Sequence, residues 1–165
     1  TDSRLTGELD LLAELRVAAA AGELSREALF ELVTTGPARL LRLVDGGRGR
    51  IRVGWPADLV LLPPADGRDP IAHLLGLTRA DLQLVVIDGR PVVADPGLEV
   101  IFRLTGTPAQ RITVDGVCKL MDGWLVDRLR KSILAEPGLT LRWEVGAAHG
   151  RYKREDGEIS GLTGG

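Results

Sequence analysis

The sequence predicts an α+β protein, with helices gathered at the front of the chain and short strands behind them. Three observations predict it. From Asp10 to Val44 apolar residues recur at helical spacing, punctuated by Gly22, Ser25 and Pro37. Ile51, Val53 and Trp55 then alternate with Arg52 and Gly54, and Leu59 to Leu62 is an unbroken apolar run, which reads as two strands around a corner at Pro56-Ala57-Asp58. Leu82 to Ile87 is rich in β-branched residues and leads into Asp88-Gly89, a strong hairpin turn.

The helices follow from spacing and caps. Asp10 to Ala21 carries Leu11, Leu12 and Leu15 with Ala18 and Ala19 on one stripe, leaves Glu8, Glu14 and Arg16 for the wet side, and ends at Gly22. Ser25 caps a second helix with Glu27 in its first turn and Leu29, Leu32 and Val33 as its stripe. Pro37 is expected to start a third, packed through Leu40, Leu41 and Val44. Asp45-Gly46-Gly47 is a loop.

In the first predicted strand Arg52 and Gly54 mark a wet face, and Pro56 stops it. Asp58 is placed to hold the corner by bonding a backbone N–H two residues on. The run after it is expected to be buried on both faces. Ala65 to Arg68 is a loop. Asp69 and Pro70 are the N-cap and first residue of a short helix to about Leu77. Arg90 to Val93 returns from the hairpin, with Pro91 suggesting an edge. Asp95-Pro96-Gly97 breaks the chain, and Leu98 to Leu104 is a short helix. Arg111 to Gly116 is another strand and turn. Asp122 caps a helix to about Ala135 whose stripe is Leu125, Leu129 and Ile133. Arg151 to Glu158 and the Gly-rich end read as a solvated, flexible tail.

Composition narrows the function. The 165 residues are 44% hydrophobic and 27% charged, enough for one folded domain of ordinary size. The net charge of −2 and the lack of a basic block argue against a nucleic-acid partner. No run approaches the roughly 18 apolar residues of a membrane helix. The one cysteine, Cys118, gives no internal disulfide and no sign of secretion, so a cytoplasmic setting is expected. With no histidine near it in sequence, Cys118 reads as a small hydrophobe and not a nucleophile. His73 has no neighbouring ligands at metal spacing and reads as a packing or surface histidine. No phosphate-binding glycine loop, Ser/His/Asp set or internal repeat is present.

Glycine, an alternating segment, Val53-Gly54, two residues and then Ala57-Asp58-Leu59-Val60-Leu61-Leu62 resembles the C-terminal signature of the amidohydrolase superfamily. Those proteins are metal-dependent hydrolases and deaminases built on a TIM barrel beside a small β-domain. The hairpin at Asp88-Gly89 resembles the family's next motif, and Thr34-Thr35-Gly36-Pro37-Ala38-Arg39 resembles its Thr-x-Asn-Pro-Ala-Arg, with Gly36 where asparagine is usual. Thr1-Asp2-Ser3 resembles the end of the last barrel strand. The resemblance implies that Asp2 contacts the metal and handles the proton of the attacking water, a task suited to a carboxylate. A plain capping acid is the other reading of Asp2.

These matches imply a division into a helical remnant of a barrel at 1–48, a small β-sandwich-like domain with a short inserted helix at 49–120, and a C-terminal helix and tail at 121–165. A catalytic zinc site needs about three protein ligands, and His73 and His149 are the only histidines, in no such pattern. The chain, which starts without methionine, is therefore expected to be the C-terminal part of an amidohydrolase acting on non-peptide C–N bonds. Zinc or a similar divalent metal belongs to the complete enzyme, and this chain alone is expected to hold none and to be inactive. The expected partners are the missing barrel portion or a barrel-bearing chain, a small-molecule substrate and a second copy of this chain. The rival expectation is a non-catalytic module that docks on such a partner.

Overall fold

The computed structural model describes residues 7, 8 and 10–135, with side chains to 132. Four helices come largely first. α1 (Leu11–Ala21) starts where Asp10 accepts a hydrogen bond from the Ala13 amide and ends at left-handed Gly22. α2 (Arg26–Leu32) is capped by Ser25 on the Ala28 amide. α3 (Thr35–Leu40) follows at once, and α4 (Pro70–Gly76) is capped by Asp69. α1 and α2 both lie against α4, and α3 against α2. Ala13, Leu15, Leu29 and Ala38 are the apolar residues they bury, and α4 buries His73.

The strands form one open antiparallel sheet in the order β1-β2-β3-β5-β4, built from β1 (Leu59–Leu61), β2 (Leu84–Ile87), β3 (Arg90–Ala94), β4 (Ala109–Val114) and β5 (Val117–Asp122). Both hairpins turn on an Asp-Gly pair with positive φ at each residue, Asp88-Gly89 and Asp115-Gly116, the type I′ geometry that matches strand twist. A 3-10 turn at Pro96–Leu98 leads into α5 (Glu99–Leu104), which packs on β3, and α6 (Gly123–Ala135) crosses β5 and β4. The core under the sheet is Ala94, Phe102 and Leu120, flanked by Leu84 and Leu98. Among the described residues no helix is long and apolar enough to cross a membrane.

The mixed helical and antiparallel architecture agrees with the expected α+β class, but among the described residues the sheet is single and open, not a sandwich. Several local expectations are corrected. Residues 51–55 form a turn and no strand: the Trp55 amide bonds the Arg52 carbonyl at 3.2 Å, and Ile51 and Val53 are almost fully exposed. An alternating pattern makes a strand only where a neighbour can pair with it, and none of the described strands pairs there. β1 is an edge strand with all three residues exposed, so its apolar run is not buried on both faces. α3 starts at Thr35, two residues before Pro37, and its anchor is Ala38; Leu40 and Leu41 point outward and Val44 is half-buried. Leu11, Leu32 and Leu129 are likewise exposed, and among the described residues Val126 is the side chain that α6 buries.

Pro91 is also not at an edge, since β3 lies between β2 and β5. The ladder to β5 covers only Val93 and Ala94, and the register to β2 shifts between Val85 and Val86, which leaves Val92 as an extra residue beside Pro91. A proline is tolerated where a bulge and a ladder end leave no amide to be paired.

Candidate functional site

The signature segment builds a clip across the start of the sheet. Asp58 stands at the entry to β1, and Asp88 at the tip of the β2–β3 hairpin. The Asp88 amide donates to Asp58 Oδ1 at 2.7 Å, across 30 residues of sequence. Arg48 donates from Nη1 to Asp58 Oδ2, and its Nη2 lies 3.6 Å from Asp88 Oδ1. The Gly89 amide donates to the Ala57 carbonyl at 3.0 Å. Asp58 therefore does not hold a local turn, as its spacing suggested, but fixes β1 to the hairpin. The Asp88 amide, and after it Arg48, hold the Asp58 carboxyl below the usual carboxylate range.

The loop that brings Arg48 there needs its glycines. Gly47 has φ +82°, and a Cβ on it would meet the Trp55 ring at 2.8 Å. Gly49 lies so close to Ala38 that a Cβ would stand 2.6 Å from the alanine methyl. Trp55 thus packs over the loop, with the Arg52 guanidinium 4.9 Å from its ring centroid.

A shallow open cleft of about 560 Å³ lies beside α4, lined by Arg26, Arg68, Asp69, His73, Leu77 and Asp81 among others. Its polar groups are committed to the fold. His73 is buried, with Nε2 3.0 Å from the Pro63 carbonyl, in agreement with a packing histidine. Asp69 caps α4 and stands 3.6 Å from Arg26. Asp81 accepts from the Thr78 hydroxyl and amide, each at 2.7 Å, and these bonds hold its carboxyl below the ordinary range. Cys118 is half-buried in β5, and among the described residues no histidine or carboxylate bonds its sulfur. Among the described residues no three His, Cys, Asp or Glu side chains could hold a metal ion together. Asp2, the predicted catalytic and metal-contacting residue, lies outside the described residues, as does His149.

Sequence reading missed three connections. Lys119, 2% exposed, donates from Nζ to Asp95 and to the Leu82 carbonyl. Arg79 makes a two-pronged bond to Asp115 at 2.7 and 2.6 Å, tying the β4–β5 hairpin to the turn before β2. Arg90 stands 3.1 Å from Asp122 with its guanidinium 4.1 Å from the Trp124 ring centroid. Only an alternating strand with a lysine at an inward place could have signalled the first, and nothing local signals the others.

Among the described residues the Ala-Asp-Leu-Val-Leu segment thus clips a single open sheet that has a helical layer before it. Residues 4–93 match the model of the amidohydrolase family. The chain belongs to that family. No curated protein and no solved structure matches it.

Two expectations follow from the carboxylates. Asp58→Ala should destabilise the fold by about 1–2 kcal/mol, the worth of charged hydrogen bonds discounted for a side chain about a third exposed. Asp58→Asn, which keeps an acceptor for the Asp88 amide, should lose about half as much on that basis. Urea unfolding followed by circular dichroism measures both, and equal losses would remove the Asp88 bond from the account.

Asp58, Asp81 and Asp115 all have carboxyls held below the ordinary value. Below about pH 4 the unfolded chain binds the protons that these groups refuse in the folded state. Their contribution is full above that pH and fades as pH falls through each folded value. The unfolding midpoint should thus drop as pH falls below the ordinary carboxylate range, near about pH 4, and less steeply in an Asp58→Asn, Asp81→Asn, Asp115→Asn triple variant.

Proposed function

We propose that this chain is the C-terminal part of a metal-dependent amidohydrolase that acts on non-peptide C–N bonds in small molecules, by hydrolysis or deamination. The observation that carries the reading is the family match over residues 4–93. Amidohydrolases generally use divalent metals, and the described residues do not fit one, since no cluster of ligands exists among them. On this reading the metal ligands other than Asp2 come from the barrel portion of the complete enzyme or from a barrel-bearing partner chain. From the present chain we assign only Asp2 to the chemistry, as the carboxylate that carries a proton beside the reacting centre. Substrate, barrel and this chain meet in the cytoplasm on this reading, with no nucleic acid involved.

The test is mass spectrometry of amide, aminopurine and aminopyrimidine substrates with added zinc. The chain alone should turn over none of them. Co-expression with the product of an upstream frame that encodes a His-x-His barrel should restore metal-dependent turnover, and Asp2→Asn should abolish it. Turnover by the 165-residue chain alone, dependent on metal, would overturn the assignment.

A second reading is favoured by the apolar surface of the helical layer. Phe30, Leu32, Leu40, Leu41, Leu43, Ile51 and Val53 are all exposed, and exposed apolar side chains that gather in one patch mark interaction sites. On this reading the chain is a non-catalytic subunit that docks on a barrel-bearing partner through that face. Alone, it should self-associate: light scattering should show a mass above one chain at micromolar concentration, and Leu40→Glu with Leu41→Glu should return it to one.

A further inference from the structure

An open groove of about 470 Å³ runs between α2 and α3, lined by Leu24, Ala28, Glu31, Leu32, Gly36 and Arg39. Its floor is set by a close approach of the two helices: a Cβ on Gly36 would meet the Glu31 carbonyl oxygen at 2.7 Å. Leu24 and Leu32 are 47% and 56% exposed, so the groove holds apolar surface open to water.

The end of α3 offers the shape that such a groove takes. Leu40 and Leu41 are 85% and 67% exposed. The Leu41 amide donates to the Pro37 carbonyl at 2.9 Å and the Arg42 amide to the Arg39 carbonyl at 3.1 Å, so both leucines project from a hydrogen-bonded turn and not from a loose loop. Leu40 follows Gly36 by one turn of the same helix, and its exposure shows that it does not fill its own groove.

The charges divide in the same way. Glu27 precedes Glu31 by one turn of α2, which puts the two carboxylates in one row. Arg42 follows Arg39 by one turn. Glu31 and Arg39 form an ion pair within the chain, and beyond that pair Glu27 and Arg42 are both exposed. One face therefore carries a groove and an apolar projection, an acid and a base. A two-fold interface demands this of a surface, because each half must meet its complement on the other copy. A different partner would need only one half of each set, and the net charge of −2 gives no strong excess of either sign to attract one.

We propose that α2 and α3 form a two-fold interface with a second copy of this chain. Leu40 and Leu41 of each copy enter the groove of the other, and Arg42 of each lies beside Glu27 of the other. The inference rests on the reading above in which the helical face docks, and it names the occupant of that face in the chain by itself.

Sedimentation equilibrium of the 165-residue chain tests this. The chain should be a dimer at micromolar concentration. Arg42→Glu and Glu27→Arg each set like charges together twice per interface, and each should weaken the dimer at least tenfold. Mixed in equal amounts, the two variants should dimerise as the parent does, because every swapped charge then meets its opposite. A chain carrying both substitutions should do the same, and either recovery shows that the variants are folded. A dimer indifferent to both swaps would overturn the two-fold pairing and leave the docking reading standing. A chain monomeric at every concentration would overturn the inference and also remove the self-association expected of the exposed face. Open-ended assemblies in place of dimers would overturn the two-fold form.

Discussion

Asp95→Ala should cost about 3 kcal/mol of stability, more than the removal of its partner. Breaking a buried ion pair from one side leaves the other charge without compensation, and such changes typically cost 3–5 kcal/mol. Lys119 is 2% exposed, and without Asp95 its ammonium keeps only the Leu82 carbonyl among the acceptors it now has. The low end of the range applies, because Asp95 itself is about a third exposed and water can enter its place. Lys119→Met removes the charge that would be stranded and fills the same space, leaving the carboxylate of Asp95 on its wet side. That change should cost about half as much, since apolar replacement of a buried ion is far milder than stranding one. Paired urea titrations measure the order, and a larger loss in Lys119→Met would show that the aspartate does not hold the lysine.

Phe102→Ala is the other large effect, about 3–5 kcal/mol. Phe102 is 1% exposed at the centre of the cluster with Ala94 and Leu120. Its removal loses the transfer energy of the ring and leaves a cavity beneath a sheet whose strands cannot close on it. Domains of this size hold about 5–15 kcal/mol in total, so the variant should unfold at a temperature markedly below the parent's. Phe102→Leu, which keeps most of the volume, should lose about 1–2 kcal/mol on the same grounds. Calorimetry at matched concentration separates them.

The helical layer, the β2–β3 hairpin and the strand and turn at Arg111 to Gly116 were legible because their signals are local, whereas the return strand β5 was not read. Ser25 and Asp69 cap the helices that their positions predict, the first helix starts one residue after Asp10, which caps it, and Asp88-Gly89 turns the hairpin that its dipeptide predicts. The signature segment was recognisable as a motif but not as a structure. Its alternation at Ile51, Val53 and Trp55 is that of a strand, yet Gly47 and Gly49 let the loop fold back on Ala38 and Trp55, and the side chains that alternate meet no sheet. The apolar run at Leu59 promised burial that an edge strand does not give. Lys119–Asp95 and Arg79–Asp115 join residues 24 and 36 apart, and no window on the sequence joins them. Asp2, the single residue assigned to chemistry, rests on its neighbours Thr1 and Ser3 and on the family alone.

The bond from the Asp88 amide to Asp58 has one more consequence. It sets how β1 meets β2 without reference to the 22 residues between them, which run from Leu62 to Gln83 and include α4. Asp66 and Gly67 form an exposed left-handed tip in that stretch. Foreign sequence spliced into the tip would lengthen a loop whose closure grows only slowly more costly with length. The alignment of the strands would be untouched. That tip is where the molecule can be tagged, or can diverge, without disturbing its sheet.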